Sequence, residues 1–79
     1  MEVIIYSKDN CQNCLRAKNR LNKFNPKILK LGEDISREDF LKKFSNVKSV
    51  PQVIINNKHI GGYKDLEKWL TFNKPDEDF

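Results

Sequence analysis

The feature that most restricts the fold is an alternation at the N-terminus. An apolar, β-branched run from Glu2 to Tyr6 is followed by a polar turn, Ser7-Lys8-Asp9-Asn10, and then by helical periodicity from Gln12 to Phe24. The first run is bounded by turn residues and reads as a buried strand. Leu15, Ala17, Leu21 and Phe24, with Lys18 alongside, give the helix an apolar stripe. Asn25-Pro26 ends it, because a residue before proline is kept out of the helical region. Lys27 to Leu31 alternates as a second strand. A strand–helix–strand unit closes by a right-handed crossover, so the first two strands are expected to be parallel.

The rest of the chain extends this unit. Ser36 is a good N-cap with Asp39 three residues on, and a helix is expected to about Phe44 with Phe40, Leu41 and Phe44 inward. Asn46 to Val50 reads as a loop ending at Pro51, and Gln52 to Ile55 as a third strand. Asn56-Asn57 suits a tight hairpin turn, and Lys58 to Ile60 returns as a fourth strand. Gly61-Gly62 breaks the sheet before a last helix, Asp65 to Phe72, with Leu66, Trp69 and Leu70 inward and Phe72 also assigned to core packing. The order β-α-β-α-β-β-α describes an α/β domain, a four-stranded mixed sheet flanked by three helices. A chain of 79 residues makes one domain, 1–79. It buries about 60% of its unfolded surface. Residues 73–79, acidic and containing proline, read as a frayed tail.

Composition narrows the function. No apolar run approaches the ~20 residues of a membrane-spanning helix. The N-terminus lacks a basic region and a small-residue cleavage site, so a cytoplasmic, reducing compartment is expected. The net charge of +4 favours anionic partners. The lysines are mixed with acids along the chain, which argues against a nucleic-acid face. With two cysteines and one histidine, His59, the chain is too poor in ligands for a four-ligand zinc site, and no metal is expected. A monomer is expected.

The two cysteines, Cys11 and Cys14, stand three apart between a strand end and a helix start. The thiolate is the nucleophile in disulfide exchange, and a free thiol has a pKa of about 8.5. At a helix N-terminus, unpaired N–H groups and the macrodipole favour an anion. The first cysteine of such a motif has its pKa lowered to roughly 3.5–7.5. Lys8, three residues before Cys11, is a candidate cationic neighbour. The spacing puts Cys14 in the first helical turn beneath Cys11. In a redox reading Cys11 attacks a disulfide and Cys14 resolves the mixed disulfide; the spacing taken alone equally fits a structural pair or half of a metal site.

A second constellation follows. Pro51 after Ser49-Val50 opens a buried strand, where a missing N–H is tolerated, and X-Pro is the bond at which cis is least costly. A cis bond here would aim the Val50 N–H and C=O outward, toward an extended peptide held against Cys11. Gly61-Gly62-Tyr63-Lys64-Asp65 then opens a helix, and its first turn is suited to a carboxylate.

Together, Tyr6-Ser7-Lys8-x-x-Cys11-x-x-Cys14, Ser49-Val50-Pro51-Gln52-Val53 and Ile60-Gly61-Gly62-Tyr63-x-Asp65 resemble a dithiol glutaredoxin, of the thioredoxin-like superfamily, from Val3 to about Leu70. The resemblance implies a thioredoxin-like fold and the reduction of protein disulfides and glutathione mixed disulfides. Glutathione is the implied co-substrate, with no cofactor resident. Cys11 is then the nucleophile and Cys14 the resolving residue. Lys8 would support the thiolate and the glycine carboxylate of glutathione, with Gln12 and Asn13 beside them. Val50, before a cis Pro51, would pair with the cysteinyl backbone, and Gly62, Tyr63, Lys64 and Asp65 would receive the γ-glutamyl end. Two substitutions depart from the family pattern: Gln12-Asn13 replaces the usual Pro-Tyr, and Lys64 stands where small or acidic residues are common. The segment between the second strand and Ser49 is also short. Three alternatives share the sequence: a redoxin reduced by thioredoxin reductase, with ribonucleotide reductase as a substrate by analogy, a glutathione-dependent iron–sulfur carrier, and a non-catalytic binding module. His59 reads as a surface residue.

Overall fold

The computed structural model describes residues 1–45 and 49–73. In chain order these form β1 (Val3–Ser7), α1 (Gln12–Leu21) with a closing 3-10 turn (Asn22–Phe24), and β2 (Lys27–Lys30). There follow α2 (Arg37–Lys43), β3 (Gln52–Ile55), β4 (Lys58–Gly61) and α3 (Tyr63–Asn73). The sheet order is β2-β1-β3-β4; β1 and β2 are parallel, and β3 runs antiparallel to both β1 and β4. The element order and the mixed sheet are those expected from the sequence.

Strand alternation divides the interior in two. Odd positions of β1 and β3, Val3, Ile5, Val53 and Ile55, meet Ala17 and Leu21 of α1 and Leu66 of α3 in an aliphatic core. Even positions turn to the opposite face, where Tyr6 meets Phe40 and Phe44, with Ile4, Leu29, Val50 and Ile54 at the margin. The three aromatic rings pack at centroid separations of 5.1–5.8 Å. Tilted and edge-on contacts at such spacings are favoured by the ring quadrupoles.

Local signals account for most boundaries. Ser36 caps α2, its hydroxyl accepting the Asp39 N–H at 3.1 Å. Asn56 and Asn57 both have positive φ, 51° and 67°. That is the geometry of a type I′ hairpin turn. Asn25, at φ 50°, ends the 3-10 turn before Pro26.

Three inward assignments are overturned. Leu15 is 52% exposed, Leu41 39% and Phe72 83%. Each helical step turns about 100°. Leu15 and Leu41 each follow directly on a buried residue, Cys14 and Phe40, and so swing off the core stripe. Phe72 lies across α3 from the stripe of Leu66, Trp69 and Leu70. The last helix also begins two residues early, at Tyr63, and runs to Asn73, so Asn73 belongs to the helix rather than to a tail. Residues 74–79 and 46–48, which carry the rest of the expected tail and part of the expected loop, lie outside the described residues. No described helix is long and apolar enough to cross a membrane.

Candidate active site

The C-terminal end of β1 delivers the chain into the site. Ser7 is its last residue, Asn10 takes a positive φ of 56°, and Cys11 follows in extended conformation as the N-cap of α1. The cap is made by sulfur: the Cys14 N–H donates to Cys11 Sγ at 3.2 Å. A side-chain oxygen ordinarily fills this role. Here the helix terminus directs an N–H at the atom whose anion it would stabilise.

Cys11 and Cys14 form a disulfide, with Cα atoms 5.2 Å apart. Their environments differ. Cys14 is 1% exposed, on the buried stripe of α1 with Ala17 and Leu21, while Cys11 is half-buried at the surface. An incoming sulfur therefore has access to Cys11 and not to Cys14.

The second wall comes from the segment before β3. The Val50–Pro51 peptide bond is cis, and the Val50 carbonyl oxygen lies 3.8 Å from Cys11 Sγ. The structure thus brings together Cys11, Cys14, Val50 and Pro51, which are separated by 36 residues or more across the two pairs.

Two hollows open here. One, of about 360 Å³, is lined by Leu31, Gly32, Phe40, Leu41 and Val50, with Lys8 and Arg37 as its charged residues. The other, of about 390 Å³, surrounds Cys11 and includes Lys8, Asp9, Gln12 and Lys18. Lys8 belongs to both. Asp9, the one carboxylate among their described lining residues, is 2.7 Å from the ammonium of Lys30, which also meets Glu33 at 3.2 Å. The Asp9 hydrogen bond, then that to Glu33, raises the Lys30 pKa above its ordinary 10.5. Asp9 is thereby paired with Lys30, and the described lining of the hollows carries more cations than carboxylates.

Gly61, Gly62 and Asp65 stand where β4 gives way to α3 and line neither hollow. β4 carries a bulge: Ile54 pairs with His59, but Val53 pairs with Gly61, so Ile60 is the extra residue. Bulges re-aim the chain beside functional sites. Here it brings Gly62 against Pro51, whose carbonyl oxygen would lie 3.6 Å from a Cβ at position 62. Gly61 has φ 125°, and a Cβ there would collide with the Asp65 carboxylate. Asp65 reaches back to accept the Gly62 N–H at 3.1 Å. Asp65 thus accepts the N–H of the residue that precedes α3.

The remaining expected site residues are distributed as follows. Gln12 and Asn13 are exposed, Asn13 accepting a hydrogen bond from Arg16 at 3.3 Å. Tyr63 is half-buried against the aliphatic core. Lys64 is exposed beside Glu67, Lys68, Thr71 and Phe72 on α3, and lines neither hollow at the cysteines. Sequence reasoning missed Arg37. Its only signal was its place just after the Ser36 cap, which turns the first residue of α2 toward the groove.

With the thiol pair, the cis proline and the glycine turn now on one surface, relatives can be compared. The glutaredoxin family model matches residues 3–60. The chain belongs to the glutaredoxin family. Glutaredoxin 1 of Escherichia coli strain K12 is 32% identical over 82 aligned residues, covering 92% of this chain and 96% of the relative. The solution structure of reduced E. coli glutaredoxin superposes with a TM-score of 0.78 at 30% identity, covering 94% of this chain and 98% of that one. A buckwheat glutaredoxin–glutathione complex shares the fold, with a TM-score of 0.74 at 24% identity, covering 91% and 70%. As a glutaredoxin with its cysteine pair intact, the chain is a thiol–disulfide oxidoreductase. The pair is asymmetric: Cys11 is half-buried at the surface and caps α1, and Cys14 is sealed from solvent one turn deeper.

Proposed function

We propose that this glutaredoxin uses glutathione as its reductant, acting on protein disulfides and on glutathione mixed disulfides. The observation that carries the reading is the groove beside Val50, whose charged lining among the described residues is cationic, Lys8 and Arg37. A tripeptide with free carboxylates and one thiol matches it. Its glycyl carboxylate pairs with Lys8 and Arg37, and its cysteinyl backbone pairs with the N–H and C=O of Val50 beside cis Pro51. Its γ-glutamyl end meets the turn of Gly62, Tyr63, Lys64 and Asp65. Gln12 and Asn13 border the reacting sulfur. A buckwheat glutaredoxin of the same fold was solved as a glutathione complex, which supports the reading.

The chemistry needs no other group. The Cys11 thiolate attacks the glutathione sulfur of a mixed disulfide. A Cys11–glutathione disulfide forms, and the substrate thiolate leaves. A second glutathione thiolate then attacks the sulfur of the bound glutathione, releasing oxidised glutathione and restoring the Cys11 thiolate. On a protein disulfide, Cys14 instead attacks Cys11 Sγ. The substrate leaves as a dithiol, the Cys11–Cys14 disulfide remains, and two glutathiones reduce it.

The test is turnover of a glutathione mixed disulfide coupled to glutathione reductase. Cys11→Ser is expected to lose on the order of a thousandfold or more, as removal of a nucleophile does. Cys14→Ser keeps this activity and loses the reduction of protein disulfides. A wild-type protein inert with glutathione but turned over by thioredoxin reductase would refute the reading.

A further inference from the structure

We propose that Gln52 and His59 are positioning residues, a brace that holds the substrate-pairing backbone of Val50 in register with Cys11. The proposal rests on the glutathione-dependent reading above.

Gln52 is 3% exposed, on the aromatic face of the sheet opposite Tyr6. An apolar side chain would fill that position without needing partners. A buried amide persists only where its donors and acceptor are satisfied. This one spans two segments. Its Nε2 donates to the Ser49 carbonyl at 3.0 Å, which turns Oε1 to the other side, 2.8 Å from His59 Nε2. An amide oxygen only accepts, so the His59 proton sits on Nε2. The imidazole meets the Phe44 ring at a tilt of 45°, centroids 4.7 Å apart, and Phe44 packs against Tyr6 and Phe40. The chain of contacts therefore runs from the aromatic core through His59 and Gln52 to Ser49.

Ser49 immediately precedes Val50, whose carbonyl oxygen is 3.8 Å from Cys11 Sγ. Pro51 and Gly62 limit the segment on one side. The Gln52 amide holds it on the other. Hydrogen bonds weaken steeply as they lengthen and bend, and a reacting pair tolerates little misplacement. A Ser49 carbonyl released from Gln52 lets the Val50 N–H and C=O drift from the substrate cysteine, while the sulfur of Cys11, held by α1, stays as it is. His59, which sequence reading assigns to the surface, acts through Gln52 and touches no substrate.

The test uses Gln52→Leu, His59→Phe and their combination, with three measurements. These are steady-state kinetics on a glutathione mixed disulfide, iodoacetamide alkylation of reduced Cys11, and 15N relaxation of the Ser49 and Val50 amides. In Gln52→Leu, KM is expected to rise about tenfold, the scale of one or two lost hydrogen bonds, with kcat changed by less than about twofold. His59→Phe keeps the ring contact and loses the donor, so KM rises about threefold. The double variant matches Gln52→Leu, because both act through one path. Order parameters of Ser49 and Val50 fall, and the alkylation rate is unchanged. Unaltered KM and order parameters in a folded Gln52→Leu overturn the brace, as does a parallel loss of kcat and alkylation. If Gln52→Leu does not fold, the exposed His59→Phe decides by the same measurements. If the wild type fails to turn over glutathione substrates, the glutathione reading fails instead, and the relaxation data alone decide the brace.

Discussion

The two faces of the sheet are built from different materials and do different work. The face under α1 and α3 is aliphatic, made of Val3, Ile5, Ala17, Leu21, Val53, Ile55 and Leu66. It ends at Cys14, the thiol sealed from solvent. The face under α2 is aromatic and includes polar groups: Tyr6, Phe40 and Phe44, with the Gln52–His59 hydrogen bond at its edge. It borders the groove with Lys8, Arg37 and Val50. One face holds the reacting sulfurs in place, and the other borders the surface that would receive their substrate. Aliphatic packing suits the first task because it is non-directional and excludes water. Hydrogen bonds and ring contacts suit the second because they fix orientation.

The contrast is broken most directly by one truncation on each face. Leu21→Ala is expected to cost about 2–5 kcal/mol and Phe44→Ala about 3–5 kcal/mol in denaturant unfolding. Below their melting temperatures they should part company: Leu21→Ala keeps the wild-type KM for a glutathione mixed disulfide, while Phe44→Ala raises it. Equal KM values would erase the division of labour. Gly61→Ala tests the junction of β4 and α3. Its positive φ and its collision with Asp65 predict a loss of about 1–3 kcal/mol, with weaker binding of glutathione measured by calorimetry.

Smaller effects sharpen the recognition side. Arg37→Gln is expected to raise KM about two- to fivefold, the range of an exposed ion pair. The difference should shrink as salt is added. Leu21→Ala should show no such salt dependence in its kinetics. The smallest effect belongs to Asp9. Its ion pair holds the Lys30 pKa above 10.5. A group whose pKa is raised by folding adds stability below its unfolded pKa and loses it as pH climbs through the folded value. The small destabilisation of Asp9→Asn is therefore constant across neutral pH and fades only above the ordinary lysine range. Thermal melts at pH 7, 9 and about 11 check it.

Much of this was legible in the chain. Period-two and helical patterns located every strand and helix to within about two residues. Capping and turn residues did the same for Ser36 and for Asn56-Asn57. The chemistry-bearing residues Cys11, Cys14 and Pro51 were marked by residue type and local position. Leu15, Leu41 and Phe72 were misread because hydrophobicity alone does not say which way a helix is rotated. Arg37, Gln52 and His59 were passed over because nothing in their neighbours along the chain distinguishes them from surface polar residues. Their partners lie on other elements.

The sequence by itself determined the order of elements, the single strand–helix junction carrying both sulfurs, and the proline that opens β3. These depend on backbone preference and hydrophobic period, which act over a few residues. Only the tertiary structure decided which cations line the groove and that a buried amide joins the hairpin to the segment beside Cys11. Those outcomes depend on crossover, register and one bulge, which bring together residues remote in the chain.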